Sequence, residues 1–353
     1  MFYTTEKYFA KRYDAAYRPF AFRAESAEEF FKWKRDFRAL LTKLLGFDKM
    51  LCCAPEVKSI SVEKMDGYTR EKLVIKTEPD VEMPLYLLKP ENVKPGERLP
   101  MMIAPHGHAS YGKAAVCGID MGNDDLRKTI NDHNYAYGIE FVKQGFIVFC
   151  PDARGFGERS EKYTQGKESM LASSCAYINS MAYPLGLCVT GMWAWDLMRL
   201  IDYGLTRDDV DGSRINSGGL SGGGLQTLWL AAMDERVKNV IISGYFYGYK
   251  QSLLEMFNCS CNYIPGLWEN ADIGDVASLL ADRAVFFETE DADPLNGRDK
   301  LDNVYSQLGT VQKAARLVGN ESNVVHHVFR GEHKWCGEKS VPWIVGKNFG
   351  WGT

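Results

Sequence analysis

Short apolar runs alternate with helix-length segments over most of the chain, and this alternation constrains the fold more than any other feature. The predicted strands cover residues 101–104, 146–150, 215–219, 237–243, 284–288 and 323–329. The predicted helices cover residues 137–144, 187–203, 223–233 and 303–318. Because parallel strands need crossover connections of helix length, the pattern predicts an α/β fold with a mainly parallel sheet flanked by helices.

A different pattern precedes this region. Short runs at 59–64, 71–77 and 83–88, with a turn signal at Asp66-Gly67, predict an antiparallel meander. Farther upstream, a capping-box pattern opens an apolar stripe that ends at Gly46, which predicts one helix. We therefore expect an N-terminal helical extension, residues 1–56, and one α/β domain, residues 57–353. The stripe is expected to pack on its own domain or, alternatively, to form a homo-oligomer contact.

Composition and charge exclude several classes of protein. The chain carries 42 Lys and Arg against 46 Asp and Glu, without blocks of like charge, so no footprint for nucleic acid or an anionic membrane is evident. No apolar run approaches the ~20 residues of a membrane helix, and the N-terminus lacks the apolar stretch of a signal peptide. The nine cysteines are odd in number and do not indicate a disulfide framework. We expect a cytoplasmic protein.

The strongest chemical signal is Gly219-Leu220-Ser221-Gly222-Gly223, which fits the pattern G-x-S-x-G. A strand-like run precedes it and a helix-like run follows it, as a nucleophile elbow requires. The backbone of the serine is strained in such a turn, so its neighbours must be nearly free of side chains, and glycine meets that need. The context predicts Ser221 as a nucleophile, with a serine in an ordinary loop as the alternative.

A serine hydroxyl needs a base that takes its proton and an acid that orients the base. His333 lies in a loop just past the last predicted strand, and we predict it as the base. His326 and His327 lie inside that strand and are expected to be structural.

Several carboxylates follow the predicted strand 284–288. Asp293 is predicted as the acid because it lies deepest in the turn and Pro294 fixes the exit path of the chain. Asp291 and Glu290 stay as alternatives.

The oxyanion of an acyl-transfer intermediate needs hydrogen-bond donors. The backbone N–H of Gly222, directly after the nucleophile, is the first candidate. The second is a backbone N–H in the loop after strand 101–104, contributed by His108 or Ala109.

No metal and no cofactor are expected. A metal site on His106 and His108 is disfavoured because further ligands with zinc spacing are absent. Cys259, Cys261 and Cys336 also lack the spacing of a structural zinc site.

Aromatic residues follow the predicted strands at the end where the nucleophile is expected. Tyr245, Trp268 and Trp335 are candidates for a substrate pocket, with core packing as the alternative. Arg154 is expected either to meet a substrate carboxylate or to brace its loop through an internal ion pair. Residues 158–184 lack periodicity and are expected to form a lid or a surface excursion.

Five segments in this order resemble the α/β-hydrolase superfamily: residues 106–108, 152–158, 219–223, 293–297 and 331–333. The chain order of nucleophile, acid and base is also that of α/β-hydrolases. Within the superfamily, residues 234–237 and 261–266 resemble the bacterial acetyl-xylan-esterase-like and dienelactone-hydrolase-like branch. The resemblance covers residues 83–343. It implies an eight-stranded sheet, a Ser221-Asp293-His333 triad, and hydrolysis of esters without a cofactor.

These observations predict a serine hydrolase that cleaves carboxylic esters of small molecules, with short acyl groups of the acetyl type. A peptidase or amidase using the same triad is the alternative, and a binding protein without activity is a third hypothesis. An ester substrate is expected to be the only partner apart from a second copy of the chain.

Overall fold

The computed structural model describes residues 2–108, 110–162 and 172–350. Ala109 and part of the expected lid therefore lie outside the described residues. The strands are β1 Val57–Lys64, β2 Tyr68–Glu78, β3 Val81–Pro90, β4 Leu99–Ile103, β5 Ile147–Pro151, β6 Val210–Leu220, β7 Val237–Ser243, β8 Ala284–Glu290 and β9 Val324–Phe329. The helices are α1 Glu6–Ala15, α2 Ala27–Leu44, α3 Lys113–Val116, α4 Asp124–Asp132, α5 Tyr137–Lys143, α6 Cys175–Ala182, α7 Val189–Leu205, α8 Gly222–Met233, α9 Leu267–Asn270, α10 Ile273–Ser278, α11 Leu301–Leu317 and α12 Ser340–Phe349.

All of these strands form one mixed sheet in the order β1-β2-β3-β5-β4-β6-β7-β8-β9. The first three strands are an antiparallel meander, and β3 also pairs antiparallel with β5. The remaining neighbours pair in parallel. The described residues thus form nine strands where the family resemblance implied eight. The edge strand β1 is exposed at every position.

Helices cover the parallel part of the sheet on both faces, and β4, β5 and β8 are buried at every position. Successive side chains along β4 point to opposite faces of the sheet and belong to two different hydrophobic cores. Met101 and Ile103 belong to a large core with α2, α7, α8 and α11, while Met102 belongs to a smaller core with α5 and α12. In the described part of the chain, no helix is both long and apolar enough to cross a bilayer.

The predicted N-terminal helix is α2, and it begins at the predicted cap. The Ser26 hydroxyl accepts the Glu29 N–H at 3.2 Å, which satisfies one of the free amides of the first turn. Phe30, Phe37 and Leu41 are fully buried in the large core. The prediction that the stripe packs on its own domain is therefore confirmed, and an oligomer contact stays a prediction.

Candidate active site

Ser221 lies in the sharp turn between β6 and α8. Its φ and ψ are 59° and −119°, a conformation that side-chain-bearing residues rarely adopt and that stores strain. A hydrogen bond of 2.8 Å from its N–H to the Ser243 carbonyl at the end of β7 holds the turn. The side chain is partly exposed at the carboxyl edge of the sheet.

The glycines around Ser221 leave space for the close approach of the loop that follows β4. A Cβ atom added to Gly223 would lie 2.2 Å from the Pro105 carbonyl oxygen, and one added to Gly219 would lie 2.7 Å from the same atom. Either contact is too short for a real Cβ, so a side chain would displace the loop. Gln226 of α8 fixes that loop from below, since its Nε2 donates to the His106 carbonyl at 2.7 Å.

His333 and Asp293 form a close pair, as predicted. The His333 Nδ1 atom lies 2.6 Å from Asp293 Oδ2, and the Asp293 side chain is 1% exposed. The other carboxylate oxygen accepts the Leu295 N–H at 2.8 Å. Because a carboxylate can only accept, His333 carries its proton on Nδ1 and leaves Nε2 free as a base.

The imidazole of His333 lies against the strand ends that carry the elbow. A Cβ atom added to Gly244, one residue after the carbonyl that holds Ser221, would lie 3.0 Å from His333 Cε1. The loop of His333 is tied down on two sides. The ring of His133 hydrogen-bonds to the His333 carbonyl, and the Lys334 N–H donates to Glu290 Oε1 at 3.0 Å.

The alternative carboxylates have other roles. Asp291 Oδ1 accepts the Gly331 N–H at 3.0 Å and so closes the base of the His333 loop. Glu290 is fully buried within 4.8 Å of the Asp293 and His333 functional atoms. Burial, with the nearby charge of Asp293, raises the pKa of Glu290 to about 9. Glu290 is therefore protonated at neutral pH, and sequence reasoning gave no signal for this neutral acid beside the pair.

The two predicted oxyanion donors lie on segments that meet. Gly222 opens α8, where first-turn amides have no partner inside the helix. A Cβ atom added to Gly222 would lie 2.8 Å from His108 Nδ1, so the loop after β4 covers this end of the helix. Tyr135, which the sequence did not single out, fixes that loop by donating from its hydroxyl to the His108 carbonyl at 2.8 Å.

His106 is a structural residue in the same loop. Its Nε2 accepts the Ala153 N–H at 3.0 Å, so Nδ1 carries the proton and donates to the Gly107 carbonyl at 2.8 Å. Burial lowers the pKa of His106 to about 4, which favours this neutral form. With both nitrogens occupied, His106 has no atom left for a metal. His326 has a structural contact as predicted, 3.0 Å from the Thr289 hydroxyl.

The three predicted pocket aromatics lie in different surroundings. Tyr245 is 3% exposed and packs beside α8. Trp335 is 1% exposed and donates from Nε1 to Glu140 at 2.9 Å, which is core packing. Trp268 is partly buried, with its ring 5.7 Å from that of Tyr13 in α1. No contact in the structure tests their role toward a substrate, which stays a prediction.

Arg154 has an internal partner on each side. Its guanidinium donates to both Asp196 oxygens, at 2.9 and 2.7 Å, and to Glu78 at 2.7 Å. These ion pairs brace the loop after β5 against α7 and β2, which confirms the structural alternative. The expected lid, residues 158–184, contains α6 at its end, and residues 163–171 lie outside the described part.

Comparison with known proteins identifies the family. A model of the abhydrolase family matches residues 11–333. The chain belongs to this family. It is 25% identical over 310 residues to YtaP of Bacillus subtilis (strain 168), provisionally named a hydrolase, and the match covers 81% of this chain and 96% of YtaP.

Solved structures share the fold of this abhydrolase-family chain. A protein of Bacteroides fragilis NCTC 9343, provisionally named an acetyl xylan esterase, superposes with a TM-score of 0.77 at 20% identity, over 97% of this chain and 84% of that one. A glucuronoyl esterase from Solibacter usitatus gives 0.67 at 15% identity, over 93% and 95%. The α/β-hydrolase fold and the resemblance to the acetyl-xylan-esterase-like branch are confirmed.

Proposed function

We propose that this protein is a serine hydrolase that cleaves carboxylic esters of small molecules through an acyl-enzyme. The observation that carries the proposal is the strained turn at Ser221 beside a His333–Asp293 pair at 2.6 Å. Strained backbone conformations of this kind cluster at active sites. Family membership and the esterases among the structural neighbours support the same assignment.

The groups divide the reaction as follows. Ser221 Oγ attacks the ester carbonyl carbon while His333 Nε2 takes its proton. The imidazolium that forms is stabilised by the Asp293 carboxylate through the Nδ1 hydrogen bond. His333 then returns the proton to the leaving alcohol, the acyl group stays on Ser221, and water activated by the same base releases the acid.

The negative oxygen of each tetrahedral intermediate would bind at the start of α8. The Gly222 N–H points from a helix N-terminus, where the helix dipole also favours negative charge. We assign the second donor to the backbone N–H of His108. Each such donor is typically worth about 3 kcal/mol in the transition state.

We infer that the substrates are short-acyl esters of sugars or other small molecules. One structural neighbour is named for acetyl xylan, in which a short acyl group esterifies a sugar. Two others, named as a methylesterase and a glucuronoyl esterase, support ester cleavage in general. The amide-cleaving alternative requires protonation of a much poorer leaving group, and no contact among the described residues favours it.

Fluorophosphonate labelling tests the nucleophile. We expect stoichiometric labelling on the peptide that contains Ser221, none in Ser221→Ala, and unchanged labelling in Ser213→Ala, which alters an exposed serine. A panel of matched aryl esters and aryl amides then tests the reaction class. Labelling elsewhere, or faster cleavage of amides than of esters, would contradict the proposal.

A further inference from the structure

Three cysteines and one histidine converge beside the loop that follows β4. His108 belongs to that loop, Cys175 opens α6, and Cys259 and Cys261 lie in the connection between β7 and α9. One ligand atom from each side chain, the His108 nitrogen or a Cys Sγ, lies within 4.8 Å of every other. His108 Nε2 lies 3.3 Å from Cys261 Sγ.

The size of this cluster fits a tetrahedral metal ion. A Zn–S distance of about 2.3 Å in a tetrahedron places the sulfur atoms about 3.8 Å apart. The ligand atoms therefore need to move by about 1 Å at most to reach that geometry. Three thiolates and one imidazole are also a ligand set of structural zinc sites, and soft thiolates select such metals over Mg²⁺ or Ca²⁺.

Polar side chains lie beside two of the sulfur atoms. Ser173 Oγ lies 3.7 Å from Cys259 Sγ, and Asn262 Nδ2 lies 3.7 Å from Cys261 Sγ. The Asn262 amide N–H is a donor, and such donors orient and stabilise thiolate ligands.

We propose that His108 Nε2 and the Sγ atoms of Cys175, Cys259 and Cys261 bind one Zn²⁺ ion. Binding releases the thiol protons to solvent, and no oxidant or reductant takes part. Four protein ligands close the coordination sphere, so this site is structural rather than catalytic.

The ion would fix the loop that carries the second oxyanion donor. When Nε2 of His108 binds the metal, the ring proton must stay on Nδ1, the atom that faces Gly222. The loop after β4, the start of α6 and the connection after β7 would then be joined at one point. Zinc binding does not depend on the proposed ester hydrolysis, and its test needs no substrate.

Metal analysis of the wild-type protein is the first test. We expect about one zinc per chain after purification from zinc-supplied cells. After unfolding, chelation and refolding with cobalt chloride, we expect the ligand-field bands of tetrahedral cobalt together with thiolate-to-cobalt charge transfer. Absence of both signals overturns the proposal, as does a disulfide between any two of the three cysteines in the freshly isolated protein.

Single cysteine variants locate the site. Cys259→Ser and Cys261→Ser should each lose most of the zinc and the charge-transfer band. The matched control is Cys336→Ser, a partly exposed cysteine that lies instead with Glu288 and His327, and it should keep both signals. Loss of zinc in Cys336→Ser with retention in the other two would contradict the assignment. If a variant fails to fold, the wild-type cobalt spectrum still decides whether a thiolate site exists.

Discussion

Asp293→Asn isolates the role of the acid without disturbing the loop that carries it. An asparagine Oδ1 can still accept the Leu295 N–H that now bonds the carboxylate at 2.8 Å, so the turn after β8 should keep its shape. The amide NH₂ would then face His333 Nδ1. Because a donor cannot accept the Nδ1 proton, the imidazole must adopt the other tautomer, with its proton on Nε2.

That tautomer cannot take a proton from Ser221, so the loss should be large. Removal of an orienting acid by this substitution typically lowers kcat by about 10⁴-fold, which corresponds to about 5 kcal/mol of barrier. The hydrogen bond between His333 Nδ1 and Asp293 is short, at 2.6 Å, and the Asp293 carboxylate is almost fully buried, so water cannot replace it. The assay is steady-state hydrolysis of an aryl acetate at neutral pH, with KM expected to change little.

Glu290→Gln is the matched control on the same strand end. Since its raised pKa, about 9, keeps Glu290 protonated at neutral pH, the substitution replaces one neutral group by another. We expect kcat within a few-fold of wild type. A loss in Glu290→Gln as large as in Asp293→Asn, or an active Asp293→Asn, would refute the assignment of the acid while leaving the fold untouched.

Three further predictions follow from other contacts. His106 has a pKa of about 4 in the folded protein against 6.5 for the free side chain. Between these two pH values the unfolded state binds more protons than the folded state. The free energy of unfolding should therefore fall by up to about 3 kcal/mol as the pH drops from 6.5 to 4. Urea unfolding at pH 4.5 and 7.5 should show a smaller difference for His106→Gln than for wild type, and equal differences would contradict the argument. Gly244→Ala places a Cβ atom 3.0 Å from His333 Cε1 and should lower kcat/KM at least tenfold. The control is Gly319→Ala, at a glycine with a similar positive φ and no other atom within 4 Å of the added Cβ, and it should only reduce stability. Aryl esters from acetyl to butyryl should give the highest kcat/KM, with a decline beyond about six carbons, and a profile that rises toward decanoate would reject the short-acyl proposal.

The strands of the sheet could be predicted almost completely from the sequence. Buried parallel strands form continuous apolar runs, and the meander shows alternation with a turn signal. Both patterns can be recognised in the local sequence, without knowledge of which strands lie beside each other. Fewer of the helices could be predicted from the sequence. In α4 only Leu126 is buried, so no apolar stripe marks it. In α12, Pro342 lies in the first turn, where a proline is tolerated, but Gly346 lowers the helix propensity and packing on the smaller core overrides that preference.

The residues of the proposed triad could be singled out from the sequence because each lies next to a strand end and has a distinct chemical signature. Glu290 could not be classified, since its neutrality depends on burial by β9 and by the His333 loop, which no local pattern encodes. The aromatic candidates were ambiguous for the same reason. Trp335 looks like a loop residue in the sequence, and only the fold shows that its indole lies in the core beside Tyr137.

The proposed metal ligands could not be predicted from the spacing of residues along the chain, because they lie on three segments that are distant in the sequence. Sequence reasoning paired His108 with His106, yet both His106 nitrogens are taken by the backbone. It grouped Cys259 and Cys261 with Cys336, which the fold places elsewhere. The sheet order β5-β4-β6-β7 explains the observed grouping, because the segments that carry Cys175, His108 and the other two cysteines leave the carboxyl ends of β5, β4 and β7. In a parallel sheet those ends lie on one edge. Cysteines and histidines that follow neighbouring parallel strands should therefore be tested as one ligand set, whatever their separation in the sequence.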